Sequence, residues 1–63
     1  MKSKIKSFRD LIQNAIEGEK EAIRLYTFIY PFIQDGNDRR SIMHILNEEK
    51  DHLKILEKMQ EKY

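Results

Sequence analysis

The sequence predicts an all-α protein: an antiparallel two-helix hairpin that dimerises into a four-helix bundle. Three observations predict it. Two long segments repeat apolar residues in alternating steps of three and four, the spacing of a left-handed bundle seam. Between them lies a short stretch, Gln34 to Asp38, rich in turn-forming residues. The whole chain has only 63 residues, so one hairpin cannot bury both of its apolar rows.

The first element follows a polar, basic lead, Met1 to Lys6, which is expected to fray. Ser7 followed by Asp10 resembles a capping box with Asp in place of Glu, so a helix is predicted from about residue 7 to 33. Its stripe reads Phe8, Ile12, Ala15, Glu19, Ala22, Tyr26, Ile29 and Ile33. Pro31 removes one backbone donor and crowds the carbonyl of Thr27, which predicts a kink near the helix end. A loop is expected over about 34–38. The second helix is expected over about 39–62, capped by Asn37 or Asp38. Its stripe reads Ile42, Ile45, Glu49, His52, Leu56, Met59 and Tyr63. The chain is thus one domain, residues 1–63, and a short loop makes the helices antiparallel neighbours.

Each helix also carries a second apolar row: Leu11, Ile16, Ile23 and Tyr30 on the first, Leu46 and Leu53 on the second. Two hairpins packed together enclose both rows, which is the reason to expect a homodimer. There is no cysteine, so disulfides and thiolate metal sites are excluded. A fold this small needs a staple, and metal or oligomerisation are what is left. Twelve basic and 11 acidic residues nearly cancel, which gives no electrostatic case for nucleic acid or a membrane surface. No apolar run approaches the roughly 18 residues of a membrane span. The basic N-terminus lacks the apolar core of a secretory signal, so a cytoplasmic location is expected.

Two carboxylates and an imidazole break the stripes. Glu49 and His52 are three residues apart, side by side on one helix face, where packing alone calls for Leu or Ile. Glu19 holds the equivalent place on the first helix. An inward carboxylate is costly unless it is paired or neutralised, and a metal ion is the simplest partner for an inward Glu beside an inward His. Two hairpins bring four carboxylates and two imidazoles, a neutral set for two divalent ions. Such mixed ligands suit Fe, Mn or Zn rather than Ca or Mg. One difficulty stands against this. Counted from the predicted helix ends, Glu19 and Glu49 sit about 5 Å out of register. The kink at Pro31, an uneven loop or ligation across the dimer must absorb that offset.

The residues GEKEAIRLY at Gly18 to Tyr26 and EEKDH at Glu48 to His52 resemble the motifs of the ferritin-like di-iron carboxylate family. The likeness is to its rubrerythrin-like and half-sized, encapsulated-ferritin-like members, and it covers Ala15 to Met59. It implies a ferritin-like bundle with Glu19, Glu49 and His52 as iron ligands, two ions per dimer, and Tyr26 as the aromatic that lines the site. It also implies a ferroxidase that oxidises Fe(II) with dioxygen or peroxide, in iron storage or detoxification. Mn or Zn are the substitutes. The sequence stops at Tyr63 without a third helix or a shell-addressing tail, so a free homodimer is expected rather than an encapsulated one. Assembly beyond the dimer stays open.

Two other classes are open on these residues. One is a non-catalytic dimer stapled by Zn or Mn. The other is a metal-free helical module whose stripe meets a partner helix. Glu17, Glu21, Glu48 and Asp51 read as solvated faces, His44 as an exposed histidine, and Met43 and Met59 as core.

Overall fold

A computed structural model describes residues 7–63; the lead Met1–Lys6 lies outside the described residues. The described chain is all-helical: α1 (Phe8–Ile29), a 3₁₀ turn (Tyr30–Phe32) and α2 (Gly36–Lys62). Ser7 opens α1 as predicted. Its backbone is extended, and its Oγ accepts the Asp10 N–H at 3.2 Å, satisfying one of the free donors of the first turn.

The far end of α1 and the start of α2 both differ from expectation. α1 stops at Ile29 rather than running kinked to about residue 33. Pro31 has no N–H to extend the α ladder, so the chain tightens into the 3₁₀ turn, closed by the Ile33 N–H on the Tyr30 carbonyl at 3.1 Å. α2 starts at Gly36, and its cap is Asp35, not Asn37 or Asp38. Asp35 Oδ2 accepts the Asp38 N–H at 2.9 Å, and its carbonyl accepts the Arg39 N–H at the same distance. The connection is thus three residues, Ile33 to Asp35. Over it, the Arg39 guanidinium lies 4.8 Å from the centre of the Tyr30 ring.

The helices pack along a seam drawn from both apolar rows. Ile12, Ile16 and Leu46 are buried at 4%, 2% and 6% exposure. Ile23, Ile42, Leu53 and Leu56 continue this seam, half-buried. Phe8, Ala15 and Ile29, expected inside, are exposed, as is Met43. The physical reason is the geometry of two helices. A single neighbour is faced along one line, whereas the predicted stripe points between two neighbours. The ends opposite the loop are closed by an edge-to-face stack of Phe8 on Tyr63, 5.1 Å between ring centres. Gln60 adds a side-chain hydrogen bond to Gln13 and a carbonyl that accepts from Arg9 Nη1 at 3.4 Å.

The hairpin is 44 Å long and only 11 Å thick, the thickness of one helix. Among the described residues no helix is long and apolar enough to cross a membrane.

Candidate metal centre

α1 and α2 meet in register at mid-length. Glu19 lies ten residues before the end of α1, and Glu49 lies thirteen after the start of α2. The 3₁₀ turn adds about 6 Å to the α1 side, because its rise per residue is roughly 2 Å against 1.5 Å in an α-helix. The two paths from the loop then agree to within about 2 Å. The offset expected from the sequence shrinks because α2 starts earlier, at Gly36; the α1 path keeps its expected length.

Three side chains converge there. His52 Nδ1 lies 3.7 Å from Glu49 Oε1 and 4.0 Å from Glu19 Oε2. One ligand atom from each of Glu19, Glu49 and His52 falls within 4.8 Å of the other two. This is the only such group of three His, Cys, Asp or Glu among the described residues. Glu49 and His52 share a face because they are three residues apart on α2; Glu19 reaches them across the seam between Ile16 and Ile23.

The electrostatics of the trio are unfavourable as they stand. Glu19 Oε1 is buried and has no hydrogen-bond partner. Its carboxyl titrates above the usual carboxylate range. The first cause is the Glu49 carboxyl, with which a proton can be shared; burial and repulsion from Glu49 add to it, and His52 opposes them. When both carboxylates are ionised no such proton exists, and the buried oxygen is left bare. Carboxylate oxygens and an imidazole nitrogen at this spacing form a donor set for a divalent transition metal, and an unpartnered buried oxygen is what such an ion satisfies. The site is not enclosed. The side chains of Glu19 and Glu49 are 25% and 22% exposed, but that of His52 is 56% exposed.

Tyr26 is half-buried on α1, seven residues towards the loop from Glu19, and is not one of the three converging groups. Glu17, Glu21, Glu48 and Asp51 are exposed, as the sequence predicts. Glu21 pairs with Arg24 at 2.6 Å, which holds the Glu21 carboxyl below its usual range. His44 is exposed and pairs with Glu48 at 3.2 Å, an i,i+4 contact that no apolar periodicity signals, because both residues lie off the stripe.

Comparison with protein-family models, with curated proteins and with solved structures finds no match to this chain.

Proposed function

We propose that this chain is a di-iron carboxylate protein: two hairpins form a four-helix bundle whose paired Glu19, Glu49 and His52 hold two iron ions at the dimer interface. The observation that carries the reading is the convergence of these three groups around a buried, unpartnered Glu19 oxygen. One hairpin offers three ligands, too few to close two sites. Two copies offer four carboxylates and two imidazoles, which neutralise two divalent charges.

Bound iron supplies the one-electron chemistry; the chain supplies the holding groups. As a ferroxidase the balance is simple. Two Fe(II) each give one electron, and dioxygen takes the pair with two protons to hydrogen peroxide; peroxide as oxidant takes the pair with two protons to two waters. Ile16 and Ile23 on α1, with Leu53 and Leu56 on α2, are buried or half-buried along the same seam. Tyr26 lines the same stripe without ligating. Storage or detoxification of iron are the roles that this chemistry serves.

A second reading has its own support. Only Ile12, Ile16 and Leu46 are buried among the described residues, a core so thin that metal as a pure structural staple is a coherent role. Zn or Mn then replaces Fe. Anaerobic loading with Fe(II) followed by air separates the two. A ferroxidase consumes dioxygen and develops ferric absorption in the near ultraviolet within minutes. With a staple, bound Fe(II) oxidises no faster than free iron in the same buffer.

A further inference from the structure

We propose that a second copy of this chain docks on the exposed α1 row Leu11, Ala15, Gly18, Ala22, Leu25 and Ile29, with the two α1 helices antiparallel and the two-fold axis passing at Gly18. The inference rests on the dimeric metal centre proposed above and names the surface that builds it.

The row is a seam of which all but half-buried Ala22 is exposed. Its steps are four, three, four, three, four, the same spacing as the buried row, but it lies about a quarter turn further round α1. Leu11, Leu25 and Ile29 on it are 48%, 50% and 39% exposed. On α2, His52, Ile55 and Met59 lie on the same rotational side of the seam, and two antiparallel helices then turn those sides to one face of the hairpin. The opposite face carries Lys20, Arg24, Lys50 and Lys54. A hairpin 11 Å thick has no second layer, so the apolar face is bare.

The size pattern selects a copy of this chain as the occupant. From Leu11 to Leu25 the row reads large, small, small, small, large, and it reads the same in reverse. A two-fold axis at Gly18 sets Leu11 against the partner's Leu25 and Ala15 against the partner's Ala22. That is the self-complementarity an isologous interface requires.

Gly18 is the independent observation. Glycine inside a helix is unfavourable relative to alanine, so its place there needs a reason. The hairpin supplies none: a Cβ at Gly18 meets nothing within 4 Å, and no glycine has a positive φ. A helix crossing closely at that point supplies it. Glu19 is the next residue, so the closest approach of the two chains falls beside the metal ligands. The same approach covers the exposed side of His52.

The chain has no cysteine, which makes the test direct. Leu11→Cys and Leu25→Cys proteins are prepared separately, then oxidised alone and as an equimolar mixture, once with EDTA and once with Mn(II). The expected result is a disulfide-linked species of twice 7.7 kDa that forms several-fold faster in the mixture than in either protein alone, in at least one condition. Equal rates, or no cross-link, in both conditions overturn the proposal. Fe(II) oxidation by wild type without mixture-dependent cross-linking removes this surface but keeps the metal reading. Mixture-dependent cross-linking without Fe(II) oxidation does the reverse.

Discussion

His52 Nδ1 lies 4.0 Å from Glu19 Oε2, although the two residues belong to different helices and His52 is the exposed member of the pair. One side chain is already held in the seam and the other waits on the open face, so the trio is half built by one chain. Removing His52 therefore separates function from fold. His52→Ala should abolish Fe(II) oxidation while shifting the stability of the metal-free protein by no more than about 0.5 kcal/mol, as for other exposed side chains. Dioxygen uptake and thermal melts of the two proteins in EDTA check it.

Glu49→Ala should behave differently, because it removes a charge that opposes Glu19. In EDTA, Glu49→Ala is expected to melt higher than wild type. With Fe(II) or Mn(II), wild type should gain stability and Glu49→Ala should not. A Glu49 without a role in metal binding leaves the metal-induced shift intact in the variant.

The same repulsion sets a pH dependence. Glu19 titrates above the usual range in the folded chain, so the folded state holds a proton that the unfolded state has released. Stability from this group is fully present below the ordinary carboxylate value and is lost as pH rises from there through the raised folded value. Metal-free protein should therefore lose stability as pH rises out of the ordinary carboxylate range. Glu19→Gln should flatten that slope, measured by urea melts at several pH values.

Helix starts give a sharper structural check. Asp35→Ala removes the α2 cap and should cost about 1 kcal/mol, whereas Asn37→Ala should cost a few tenths. Equal effects in denaturant melts contradict the assignment of the cap to Asp35. In the seam, Ile16→Ala removes the most buried side chain and should cost about 2–4 kcal/mol.

The α1 start was legible because Ser7 is a capping residue directly before the apolar repeat. The α2 start was not, because Gly36 reads as a turn residue and Asn37 and Asp38 as caps of equal merit. Only the backbone shows that Asp35 takes the role. The candidate site was legible for a related reason: Glu19, Glu49 and His52 interrupt an otherwise apolar repeat, and such interruptions are costly without a function. Their register was not, since the offset depends on α2 starting at Gly36, before Asn37 and Asp38. The stripe itself misjudged which residues face the other helix. It lies between the buried row at Ile16 and the bare row at Gly18, the direction expected of residues that face the centre of four helices rather than one neighbour.

Native mass with metal content, taken after anaerobic loading with Fe(II) and removal of unbound iron, reads dimerisation and metal binding in one experiment. The expected species is a dimer, twice 7.7 kDa, that carries two iron ions, with both ions lost in Glu49→Ala and in His52→Ala. A wild-type species that retains no iron, or variants that retain as much as wild type, contradicts it.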